Sequence, residues 1–212
     1  MRERLRRDPG ADQRRLTALL ALCLSIVAFC TCASRASAHP HVFVDNRVKA
    51  LFQGGRLIGF DLEWSFDSLF TVGALPQRDL SAGPLRADEI AKLHQTEFDN
   101  LRHYGYFVHC WQGSRQIPVL RAERFTARLD GDRLVYRFFA RLTTPVDLRG
   151  GAVTADFYDE TYFVDVEFPE GAQTPATMVG NPAGCRLTAA EDAEHKIPLW
   201  GFSPPGITIA CT

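Results

Sequence analysis

The residues best suited to chemistry in this chain are His39 and His41, in the stretch "ASAHPHVFVD". Side chains two apart on an extended segment point the same way, about 7 Å apart, so two flexible imidazoles there can converge on one ion. They follow "ASA" at 36–38, a small-x-small run of the kind at which secretory signals are cut. Cleavage after Ala38 makes His39 the first mature residue and adds a third nitrogen, its α-amine, which closes a chelate ring with its own imidazole. Three nitrogen donors suit nickel, cobalt, zinc or copper. A histidine at the third mature position can also complete a square-planar site through deprotonated backbone amides. Pro40 has no amide hydrogen and blocks that mode. What remains is an amine and two imidazoles, with positions open for a carboxylate, water or a receiving protein. Two histidines at a terminus are also what solvated residues without any ligand look like, since termini are commonly loose.

The other candidates are weaker. Asp45 shares a strand face with His41 but lies four residues on, a long reach for a common ion. His94 and Glu97 are three apart on a helical stretch, a spacing that fits a ligand pair or a hydrogen-bonded core histidine. His103 reads as solvated, His109 as a strand residue, and His195 in "AAEDAEHK" as a surface residue of an acidic stretch. Gly-x-Ser-x-Gly, a phosphate-cradling glycine loop and Cys-x-x-Cys are all missing, so no enzyme activity is expected. The alternative is oxidative chemistry at a copper-loaded amino-terminal site, whose open positions would admit oxygen. No aromatic platform for a substrate favours it.

Several elements must position these residues. Arg2, Arg4, Arg6, Arg7, Arg14 and Arg15 precede the apolar run "LTALLALCLSIVAFC" at 16–30, and Arg35 follows it. That run is shorter than the roughly 20 residues of a membrane span. Residues 1–38 therefore read as a signal peptide directing export to the periplasm, with no retained span. Lipoprotein processing at Cys30 or Cys32 fits less well, because Phe29 and Thr31 are not small. Residues 39–212 then form a single domain, long enough for a proper core. They carry 17 basic against 22 acidic residues, a balance that disfavours a nucleic-acid partner and suits cations. Cys110, Cys185 and Cys211 remain after the cut. A Cys185–Cys211 bond would tie down the Gly/Pro-rich tail, with Cys110 a buried thiol, although three cysteines allow other pairings.

Strand-like alternation dominates. "HVFVDNRVKALF" and "RLIGFDLEWSF" flank the turn "QGG", and "LDGDR" at 129–133 marks a second hairpin. The spacing of Ile90, Leu93, Phe98, Leu101 and Tyr104 predicts a helix over about 87–104 with those residues on one face. Asp88 and Glu89 suit its first turn. Five short β-type runs follow, then a loop-rich tail over 169–212 ending in the strand-like "ITIAC". The expected fold is α+β: mainly antiparallel β in sandwich-like sheets, with one substantial helix packed on a sheet.

Taken in order, "HPHVFVD", "WSFD" (64–67), "YDETYFVDVEF" (158–168), "NPAGC" (181–185) and a terminal strand ending in Cys211 are distinctive. With them the chain resembles a bacterial family of domain-of-unknown-function proteins described as "ABC-type uncharacterised transport system, periplasmic component". The resemblance implies a periplasmic protein, often encoded beside nickel/cobalt-type or zinc-type transport systems, with no established enzymatic activity; a membrane metal transporter or permease is the expected partner. It also places Asp67 and Asp159 in matched motifs, as candidate extra metal ligands beside His39 and His41. Either has an ordinary structural use, Asp67 as a helix cap and Asp159 as a turn residue. The family often carries an acidic loop before the helix. Here that loop, "LPQRDLSAGPL", has only Asp79 as a carboxylate, so calcium is not expected there. A third reading is an interaction module that docks on a permease without any metal.

Overall fold

The computed structural model describes residues 41–212; His39, Pro40 and the segment read above as a signal peptide lie outside the described residues. Among the described residues no helix is long and apolar enough to cross a membrane. The fold is mostly antiparallel β, in two sheets joined by one core. β1 (Val42–Gln53) and β2 (Arg56–Phe66) form the expected hairpin around Gly54 and Gly55. β1 alternates inward Val42, Val44, Val48, Ala50 and Phe52 with outward residues, so one of its faces lies against the core. A short helix, α1 (Ser68–Ala74), follows β2.

The second helical segment begins as α2 (Ala87–Leu93), passes through a π-helical turn at His94–Phe98 and ends in tighter turns over Asp99–Phe107. Its start is secured by Glu89, which accepts from the Arg86 amide at 2.7 Å and holds the Arg78 guanidinium at 2.5 Å. Phe98, 1% exposed, packs among Phe125, Tyr136 and Phe138 of the sheet below. Burying such a ring contributes about 2–3 kcal/mol. The predicted apolar face does not run straight to its end. Leu93 and Phe98 are buried but Tyr104 is 53% exposed, and Tyr106 and Phe107 go inward instead. The π turn advances the helix face by one residue, and positive φ at Gly105, Tyr106 and Phe107 redirects the chain.

β3 (Val108–Gln112), the two-residue β4 (Arg115–Gln116), β5 (Val119–Asp130), β6 (Arg133–Val146), β7 (Val153–Phe157) and β8 (Val164–Glu167) follow. The tail is more ordered than its composition suggests. It holds β9 (Ala176–Val179), β10 (Cys185–Glu191) and β11 (Pro205–Cys211), and β10 and β11 pair over seven positions. Cys185 and Cys211 are cross-strand partners joined by a disulfide, while Cys110 is a buried free thiol. The first sheet has the order β5-β6-β2-β1, with β8 and β9 both parallel to β1 along its far edge. The second has the order β10-β11-β7-β3-β4. Phe60 of β2 meets Phe157 of β7 edge to face at 6.0 Å, so the two sheets share apolar contacts.

Candidate metal-binding amino terminus

His41, Asp67 and Asp159, the sequence-predicted ligands that fall in the described residues, all bear on the start of β1, the two acids through backbone amides. The His41 amide donates to the Phe163 carbonyl at 2.9 Å, which fixes the chain at the parallel β1–β8 edge. Its imidazole is exposed, lies 5.0 Å from the Phe163 ring, and has no hydrogen bond among the described residues. Asp67 follows the end of β2, and since Val44 pairs with Phe66 it stands opposite Phe43. One of its oxygens caps α1 by accepting from the Phe70 amide at 2.8 Å, and the other accepts from the Phe43 amide at 2.8 Å. Asp159, 4% exposed, accepts from the Thr161 amide and hydroxyl at 2.9 and 2.7 Å, and from the Phe163 and Val164 amides at 3.2 Å. Both carboxylates thus spend their lone pairs on donors that shape the strand start, the cap and turn uses that their positions allow. His41 is the side chain at this corner whose ring nitrogens take no hydrogen bond among the described residues.

The face beside it is acidic. Asp165 pairs with Phe43 and Glu167 with Asp45 across β1 and β8. Burial pushes the carboxyls of both Asp165 and Glu167 up, and neighbouring acids, Asp165 first, add to the shift at Glu167. Asp45 itself is engaged by Arg133 at 2.7 Å. A recess of about 360 Å³ opens here, walled by Tyr162, Phe168 and Phe202 and by Asp165, Glu167 and Glu191.

The remaining histidines divide clearly. His94 packs its ring on Phe98 and Phe125 while Glu97 stays exposed, so the two form no site. His103 is exposed. His109 is buried flat against Tyr158, with ring centroids 3.8 Å apart and Nε2 3.1 Å from the Tyr158 carbonyl. Burial pushes its pKa down, so it is a neutral packed ring. His195 differs from its sequence reading. It is half-buried, stacked on Trp111 and hydrogen-bonded to Asp192. Sequence reasoning passed over Asp156 and Asp192 altogether. The available signals were a carboxylate inside the strand "VTADF" and the Asp192/His195 spacing of three.

The described residues thus define a β-rich domain with an exposed imidazole at its amino-terminal strand. The chain belongs to the family described as "Protein of unknown function (DUF1007)", whose profile matches residues 24–197. It is 35% identical over 119 residues to the "Uncharacterized 15.5 kDa protein in trpE 3'region" of Spirochaeta aurantia, covering 54% of this chain and 84% of that one. It is 24% identical over 133 residues to an "Uncharacterized protein" of Haemophilus influenzae, covering 62% of this chain and 63% of that one.

Proposed function

We propose that this protein is a periplasmic accessory of a metal transport system, one that captures a divalent nickel, cobalt, zinc or copper ion at its mature amino terminus. His39 supplies its α-amine and ring, His41 supplies a second ring, and Pro40 keeps the backbone amides out of the coordination sphere. The observation that carries the reading is the exposed, unbonded imidazole of His41 on a strand start held rigid from both sides by Asp67 and Asp159. A donor on a fixed strand loses less entropy on binding than one on a loose terminus. The acids beside it favour a cation. The Cys185–Cys211 bond fits an oxidising compartment, and the open coordination positions fit hand-over to a membrane transporter.

Metal analysis of protein taken from the periplasm, with sequencing of its amino terminus, tests the reading directly. His41→Ala should weaken nickel or zinc binding more than about 100-fold, since even outer-shell substitutions cost about 10–100-fold. One extra residue ahead of His39 should weaken binding as well by displacing the α-amine. Unchanged affinity in both variants refutes the site.

A further inference from the structure

Among the described residues, one grouping of three metal-capable side chains stands on the second sheet: Asp156, Asp192 and His195. Asp156 lies on β7 between His109 of β3 and Gly206 of β11. Its neighbours Ala155 and Phe157 fill the core, so its carboxylate projects from the opposite face of the sheet, yet it is 0% exposed. The segment after β10 covers it and brings Asp192 and His195. Neither Asp156 oxygen has a hydrogen-bond donor. What faces it is the Asp192 carboxylate, an acceptor like itself, and His195 Nδ1 at 3.8 Å. A buried carboxylate left without a donor is costly, and two facing acceptors are satisfied only by a shared proton or a cation between them. Burial first, then Asp192, push the Asp156 carboxyl up to about 8.

The surroundings keep this space open and shaped. Position 206 is glycine, and a Cβ there would lie 2.2 Å from Asp156 Oδ1, so any side chain would displace the carboxylate. Asp192 accepts from the Glu194 amide at 2.7 Å and from the His195 amide at 3.2 Å, a turn that aims its second oxygen at His195 Nδ1, 2.8 Å away. The His195 ring lies flat on Trp111, with centroids 4.2 Å apart and planes 8° apart. Each residue's ligand atom lies within 4.8 Å of the others. Bonds of about 2.0–2.2 Å to one ion put ligands at most about 4 Å apart, so small side-chain adjustments close the site. The adjoining recess of about 150 Å³ is lined by threonines and acids, with no lysine or arginine.

We propose that Asp156, Asp192 and His195 form a second, internal metal site for a divalent first-row cation. Two carboxylates and one imidazole neutralise such an ion and leave positions for water. Oxygen and nitrogen donors without sulfur select zinc, cobalt, nickel or manganese over copper(I). The site shares no ligand with the amino-terminal one.

Calorimetric titration of chelator-stripped mature protein with zinc chloride separates the two. The forms compared are the wild type, an amino-terminally blocked form (one residue ahead of His39, with His41→Ala), and that blocked form carrying Asp156→Asn or His195→Gln. The blocked form should bind one zinc, and either internal substitution should weaken that binding more than about 100-fold. His195→Gln, in a half-buried surface segment, remains informative if Asp156→Asn does not fold. Two ions in the wild type and one in the blocked form support both sites. One ion in each, lost with the internal substitutions, supports this site and refutes the terminal one. A blocked form that binds no zinc, or binds it unaffected by both internal substitutions, overturns the internal site.

Discussion

Asp159→Asn separates a structural carboxylate from a metal-ligating one. In the native protein Asp159 takes four hydrogen bonds, from the Thr161 amide and hydroxyl and the Phe163 and Val164 amides. Asparagine has nearly the same shape, but whichever way its amide is turned an NH2 group faces donors. At the Oδ2 position this would orphan the Val164 amide and leave the Phe163 amide only its longer contact, 3.4 Å, with the Thr161 hydroxyl. Hydrogen bonds to a charged group contribute about 1.5–3 kcal/mol each, and a buried amide left unpaired costs about 1–3 kcal/mol. These terms do not add in full, so the expected loss is about 3–5 kcal/mol. For a domain of this size that lowers Tm by on the order of 10 °C. The damage should also reach the amino terminus, because the Phe163 carbonyl holds the His41 amide. Urea unfolding followed by tryptophan fluorescence, at pH 7 with excess chelator, measures the loss without any contribution from metal. A variant within 1 kcal/mol of wild type at unchanged m would refute this reasoning. It would then return Asp159 to the ligand set if zinc affinity fell alongside.

Two further outcomes follow from other buried or paired groups. Burial, with Asp156 adding to it, pushes the Cys110 thiol up to about 12, so the native protein should resist iodoacetamide at pH 8 and react fully in urea, as read by mass spectrometry. Native alkylation at the rate of a free thiol would show that β3 opens readily. Glu123 is held by Arg141 at 2.7 and 3.0 Å and by Arg121, and the Arg141 hydrogen bond leads in drawing its pKa from 4.5 down to about 2. A depressed carboxylate stabilises the fold above its unfolded pKa, and that contribution disappears as pH falls through about 2. Glu123→Gln should therefore flatten the acid limb of urea stability between about pH 4.5 and 2, with a modest effect because the pair is still partly open to solvent; an unchanged acid limb would count against the assignment.

How far the chain could be read in advance depended on the range of the signal. The β1–β2 hairpin and the "LDGDR" turn follow from alternation and turn residues, which act over a few positions. The Cys185–Cys211 pairing, one of several the cysteines allowed, became specific through the β10–β11 register. The helical segment was legible at its start, where Asp88 and Glu89 meet the dipole. Its end was not, because a π turn alters the periodicity on which the expectation for Tyr104 rested. The tail misled in part through composition: the strand-like "ITIAC" is indeed in β11, but prolines and glycines suggest loops before it, where β9 and β10 gain their stability from partners distant in sequence.

The two proposed metal sites divide in the same way. Local chemistry alone nominates His39, Pro40 and His41, because chelation by neighbouring residues depends on covalent spacing, and the same local view already shows Asp67 and Asp159 in turn and cap positions. Asp156, Asp192 and His195 carry no local mark of that kind. Strand pairing sets Asp156 beside Gly206, and the segment after β10 folds back to enclose a carboxylate that alternation would otherwise leave in water. Burial without a donor makes that carboxylate informative, and burial is a property of the folded chain, since it depends on which distant segment comes to lie on top.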